Sequence, residues 1–336
     1  LGLVLMPYML DQASFDSSSD RSFDVVSSPP NFRALRSSIN LGETGRRNTH
    51  NTRTDIAISA DGMKLAFVTH DNAQLTSEVF IKDLGFVDNV RSLGEISMVG
   101  GSGLLYFSED GDWLHFLDRG RLARVRVEGG AIQNIDTEFN VFRGGGIAIN
   151  DTVIFSKADD GQLYRISAYG GQPELLEVNS RDESRDRPAA YTWPHMLPNQ
   201  THLLVTSSDI DRVGIGNVEI YEVATGRSET IIRNASNARF VESGHIVFMR
   251  DSSLWAVPFD SEALAIDGPQ VPVIQGIETN SSFGHAAYAI SDNGRLFYLS
   301  GPDGAASGAA TAQIATLDRS GNKKEVLITG QAFAQI

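Results

Sequence analysis

Apolar and polar positions alternate along most of this chain in short runs, and the runs are punctuated at regular intervals by turn residues. Residues 56–84 read IAISADGMKLAFVTHDNAQLTSEVFIKDL: a strand, the pair Asp61-Gly62, a second strand, a polar loop and a third strand. Asp-Gly favours a tight hairpin because both central positions of such a turn need positive φ. The same order recurs with Asp110-Gly111, Asn150-Asp151, Pro198-Asn199, Ser243-Gly244 and Asn293-Gly294 in the turn. Third and fourth strands are joined at Glu128-Gly129-Gly130, Tyr169-Gly170-Gly171, Ala224-Thr225-Gly226 and Arg319-Ser320-Gly321.

A repeat of roughly 45 residues is the size of a four-stranded blade. One blade cannot bury both its faces, whereas a ring of blades buries each sheet against its neighbours. The pattern therefore predicts an all-β chain, a six-bladed β-propeller of four-stranded antiparallel blades. The blades fall near 56–93, 104–135, 146–176, 192–232, 237–274 and 286–328 of the 336 residues. Either 35–41 (LRSSINL) or the tail 328–336 supplies a strand that closes the ring. The propeller spans 35–336, and 1–34 is a separate leading segment. Within that segment the apolar run LGLVLMPYML is too short to cross a bilayer, which takes about 20 residues. It reads as a membrane-anchor remnant or as a segment docked on the domain. The Ser/Asp-rich stretch 11–30 that follows reads as a solvated linker.

Composition narrows the function classes. With 42 acidic against 28 basic residues the net charge is -14, which argues against nucleic acid and leaves solubility or attraction of a basic partner. The chain has no cysteine, which excludes disulfides and thiolate metal sites. No GxSxG elbow, HExxH or Walker loop occurs; Gly100-Gly101-Ser102-Gly103 misses the elbow spacing and reads as a loop. Gly144-Gly145-Gly146 opens a strand, where it lets backbone approach a crowded axis. The acidic pairs at turns read as turn formers, and the charged stretch 179–188 as a rim loop.

Histidines 50, 70, 115, 195, 202, 245 and 285 show no close metal-ligand spacing. His195, His245 and His285 lie on innermost or adjacent strands. The first strand of each blade lines the channel of a propeller, so Trp193, His195, Asn237, Arg239 and His285 are expected to converge at one mouth. That constellation reads either as a small-molecule or metal site or as polar filling of a solvated channel. No catalytic residue and no cofactor is assigned.

ISADGMKLAFV and FSEDGDWLHFL resemble PD40 (WD40-like) repeats, in which a serine, an acidic pair and a glycine precede an apolar strand. WPHMLPNQTHLLVTS, SGHIVFMRDSSLWAVPFD and GPQVPVI are similar to stretches of the TolB-like propellers attached to bacterial serine/threonine kinases and winged-helix regulators. The resemblance covers roughly 40–327 and is most specific at Trp193-Pro194, Leu197-Pro198 and residues 254–259. The proline that usually precedes the aspartate of the turn is replaced by Ala60 and Glu109. What the resemblance implies is a non-enzymatic, extracytoplasmic sensor or protein-interaction module, periplasmic or extracellular and tethered to a membrane. Alternatives are an accessory subunit of a larger membrane protein complex and a lyase or hydrolase working at the channel mouth. The expected partners are proteins.

Overall fold

The computed structural model describes residues 55–71, 76–86, 90–97, 105–135, 142–157, 160–180, 189–209, 216–280, 285–298, 311–317 and 323–331. The apolar run 1–10, the linker 11–30, the proposed closing strand 35–41, the Gly100–Gly103 loop and most of the charged rim loop lie outside them.

The described residues form strands and no helix. Four antiparallel strands make each of the first three blades, in chain order from the axis outward. The first blade runs Ile56–Ile58, Lys64–Asp71, Thr76–Asp83, Val90–Ile96. The second runs Tyr106–Phe107, Trp113–Asp118, Arg121–Arg126, Gln133–Asn134, and the third Phe142–Ile149, Thr152–Lys157, Leu163–Ser167, Glu174–Leu176. The fourth (Ala189–Met196, His202–Asp209, Gly216–Glu222, Arg227–Ile232) gains a parallel outer strand, Asn179–Ser180. In the fifth, Ser236–Val241, His245–Arg250 and Ser253–Asp260 are followed by Val271–Ile274.

Among the described residues five blades are complete, not six. In the sixth repeat the inner hairpin forms, Tyr288–Ile290 with Leu296–Tyr298. The third and fourth strands of that repeat, Thr311–Leu317 and Lys323–Gln331, pair with each other as expected, but among the described residues they do not pair with the inner hairpin. The connection SGPDGAASGAA explains why. It carries no apolar alternation to fix the register of Thr311–Leu317 beside Leu296–Tyr298.

The ring nevertheless closes through that hairpin. An apolar layer lies at each junction between consecutive repeats, including Val247, Leu254, Tyr288 and Leu296 between the fifth and sixth, and Phe67, Phe80, Ala287 and Phe297 between the sixth and first. Both faces of most sheets are covered, which is why strands such as His245–Arg250 are buried at successive positions rather than at alternate ones. At one end of the channel the Asp292 N–H donates to Ala60 O, Asn293 Nδ2 to Asp61 O (2.8 Å) and Arg295 Nη1 to Gly62 O (2.9 Å).

The inner turns correct one expectation. Only Asn150-Asp151 is a two-residue turn with both residues left-handed, at φ 46° and 58°. In the Ser-x-Asp/Asn-Gly repeats the glycine alone is left-handed, and a serine clasps the loop. The hydroxyls of Ser59, Ser108 and Ser291 donate to Asp61, Asp110 and Asn293, and accept the N–H that restarts the chain at Lys64, Trp113 and Arg295, at 2.9 Å each. The clasping hydroxyl replaces a backbone partner, so the turn closes without a second left-handed residue.

Candidate functional site: the axial channel

The innermost strands run in the same sense around the axis, so their starts gather at one end of the channel and their ends at the other. At the end side a funnel of about 400 Å3 is lined by all six repeats, with Glu109, Gln200, Glu242 and Asp292 at its rim. At the start side a narrower cavity of about 50 Å3 is lined by Asp55, Tyr106, Trp193, Asn237, Arg239 and His285, among others.

Three of the starting strands share a distortion. The pairing of Phe142–Ile149, Ala189–Met196 and Ser236–Val241 with their neighbours slips at a bulge, and Gly145, Trp193 and Asn237 there have φ of 73°, 55° and 49°. A bulge of this kind ordinarily takes glycine at its left-handed residue. Trp193 holds that conformation at a cost of about 1–2 kcal/mol. Its ring lies where a side chain on Gly145 would be: a Cβ there would stand 2.7 Å from Trp193 Cε3. Gly146 likewise leaves room for Tyr106, whose Cε1 would be 2.8 Å from a Cβ. The glycines of the sequence therefore do let neighbours crowd the axis, but those neighbours are aromatic rings rather than backbone.

The polar groups are tied together across blades. His285 Nε2 lies 3.3 Å from Asp55 Oδ1, joining the sixth repeat to the first, and the His285 ring is 5.8 Å from that of Trp193. Tyr288 donates its hydroxyl hydrogen to Asn237 O, and the Asn237 N–H donates to Thr206 Oγ1 at 2.9 Å. Arg239 donates from Nη1 to Pro194 O at 3.3 Å. Burial lowers the Arg239 guanidinium and raises the Tyr106 and Tyr288 phenols from their ordinary values.

Of the residues singled out by sequence, Trp193, Asn237, Arg239 and His285 share the narrow cavity. His195 does not: it faces the funnel, with Arg239 touching both spaces. Burial and the nearby Arg239 cation push its imidazole down to about 3. His245 sits at an exposed turn beside Ser243. Sequence reasoning missed Tyr106 and Asp55. Tyr106 carried the signal already used for the others, a polar-tipped aromatic on an innermost strand. Among the described residues no group of three or more His, Asp or Glu is placed to hold a metal ion.

The funnel rim has its own electrostatics. Partial desolvation, with the charges of Glu242 and Glu109, holds the Asp292 carboxyl above the usual carboxylate range. Like charges at this mouth raise one another's energy, and a cation placed among them would relieve it.

Solved structures share this architecture. TolB from Acinetobacter baumannii superposes with a TM-score of 0.50 at 13% identity, over 72% of this chain and 60% of that one. The chain folds as a TolB-like β-propeller. The match therefore spans less than two thirds of that TolB. The Cps50 (Swd1) propeller domain of Myceliophteria thermophila (TM-score 0.49, 15% identity, 84% of this chain and 88% of that one) is also similar. So is an oligogalacturonate lyase in complex with manganese (TM-score 0.47, 15% identity, 85% and 94%). No protein-family model and no curated protein matches the sequence.

Proposed function

We propose that this propeller is a non-enzymatic binding module that receives a basic segment of a partner protein at the acidic funnel mouth. One observation carries the reading: Glu109, Glu242 and Asp292 meet at the rim of a 400 Å3 opening, where burial and the charges of the other two raise Asp292. The net charge of -14 would draw a basic partner toward that mouth. Rigid inner strands stitched to their neighbours at the same rim would hold the carboxylates in place for it. His195, the imidazole facing the funnel, is a poor general base at neutral pH because its pKa is pushed down to about 3.

The module is further proposed to work on the extracytoplasmic side of a membrane, tethered through its leading apolar run. Support comes from the order apolar run, solvated linker, propeller. Among the described residues no helix is long and apolar enough to cross a membrane.

A photocrosslinking residue at Gln200, on the rim, tests the binding surface in cells. One protein trapped there, and lost in the Glu109→Gln, Glu242→Gln, Asp292→Asn variant, is the expected result. Equal trapping by the neutralised variant would refute the acidic mouth as the docking surface. Fractionation of the same cells tests the location: the chain is expected with the membrane, and recovery from the cytosol would overturn the tether.

A further inference from the structure

The narrow cavity holds an imbalance that the protein does not resolve by itself. Tyr106 Oη, Trp193 Nε1 and Asn237 Oδ1 are buried and without a hydrogen-bond partner among the described residues. All three residues line this one space. Trp193 and Asn237 are only 5% and 3% exposed. Two of the orphaned groups can donate, and Asn237 Oδ1 can only accept.

Beside them stands Arg239. Its hydrogen bonds run from Nη1 to the carbonyls of Pro194 and Ala238, and no carboxylate pairs with it among the described residues. The carboxylate lining the same cavity, Asp55, is turned to His285 Nε2 at 3.3 Å. A desolvated guanidinium normally has a counter-ion. Here the residues that carry the cation, the two donors and the acceptor all line one cavity.

We propose that this cavity binds a small α-hydroxy carboxylate. The carboxylate supplies the missing counter-charge to Arg239 and accepts from Trp193 Nε1 and Tyr106 Oη. The hydroxyl donates to Asn237 Oδ1. A bare halide would satisfy the cation and leave Asn237 orphaned, and a simple carboxylate lacks the donor. The space of about 50 Å3 accommodates roughly three to five water-sized groups, which suits a two-carbon hydroxy acid such as glycolate. Trp193 and Asn237, two of the residues that line the cavity, both hold left-handed backbone. This site lies at the opposite end of the channel from the acidic mouth, and it stands or falls independently of partner docking there.

Calorimetric titration of the intact chain with glycolate, acetate and chloride at constant ionic strength tests the proposal. Glycolate is expected to bind saturably, with acetate at least 10-fold weaker and chloride weaker still. Trp193→Phe removes the N–H together with part of the indole's bulk; it is expected to weaken glycolate at least 10-fold while the free protein still unfolds cooperatively. Arg239→Gln is expected to abolish binding, and if it does not fold, Trp193→Phe decides. Absence of saturable glycolate binding, equal affinity for glycolate and acetate, or unchanged affinity in Trp193→Phe would each overturn it.

Discussion

The indole of Trp193 occupies the space in front of Gly145, 2.7 Å from where a Cβ would stand. Neighbouring blades thus interlock at the axis through a residue that has no side chain and one that has the largest. Gly145→Ala sets two costs against the fold. The methyl group must displace the ring, and alanine must adopt φ 73°. Together these are expected to destabilise by about 2–4 kcal/mol. Urea denaturation of the two proteins measures the difference; a loss below about 1 kcal/mol would mean that the ring moves aside freely.

His115 is a second tension. It is 1% exposed, stacks on Tyr106 at 5.1 Å, and neither ring nitrogen has a partner among the described residues. Burial, with Arg124 nearby, pushes it from 6.5 down to about 3. The folded protein holds this imidazole neutral while the unfolded chain protonates it below pH 6.5. Its contribution to stability is therefore intact above 6.5 and is lost progressively as the pH falls from 6.5 to about 3. The loss is on the order of 4 kcal/mol at the acid end. Replacing it with phenylalanine keeps the stack and is expected to flatten the stability profile over that window. An unchanged slope in denaturation curves at pH 6.5 and pH 4 would show that His115 does not control it.

What could be read in the sequence was local, and what could not was a matter of partners. Alternation, Asp-Gly and Asn-Asp pairs and the 45-residue spacing of a blade are carried within single strands and turns, so five blades follow from them. The sixth is incomplete among the described residues: its third and fourth strands pair with each other and not with the inner hairpin. Along the axis, innermost-strand position was enough to bring Trp193, Asn237, Arg239 and His285 together. The bulges were hidden, since nothing in Trp193-Pro194 announces a left-handed tryptophan; the sign lies one blade away, in Gly145. The pairing of His285 with Asp55 spans nearly the whole described chain, and no local pattern encodes it.

Glu219 was equally hidden. It lies inside the fourth blade at 1% exposure and accepts hydroxyl hydrogens from Ser207 and Ser228, with Thr230 Oγ1 at 3.5 Å. Alternation marks it as a surface position, but the polar cross-strand neighbours make a buried carboxylate tenable. Glu219→Ala takes the carboxylate acceptor from those hydroxyls and leaves a void, and is expected to destabilise by about 2–4 kcal/mol. Glu219→Gln keeps an acceptor and is expected to lose less than half of that. Thermal unfolding of both variants checks the order, and a glutamine variant as unstable as the alanine one would show that the charge itself is required.

Asp292 closes the ring with its backbone and strains the mouth with its side chain. Its N–H donates to Ala60 O and its carbonyl accepts from the Glu242 N–H, so these links survive substitution of the side chain. The carboxyl is raised by desolvation and by Glu242 and Glu109. A carboxylate raised in the folded state favours folding as it protonates, so its repulsion is felt above the folded pKa and fades as the pH falls through it. Asp292→Asn removes that repulsion at every pH. The variant is therefore expected to melt higher than the parent at neutral pH and low salt, with the gain shrinking toward pH 4 and in high salt. The same variant is expected to bind a basic partner less well, because the repulsion removed is what the partner's charge would otherwise relieve. A melting temperature that does not rise at neutral pH would mean that the three carboxylates at the rim do not sense one another.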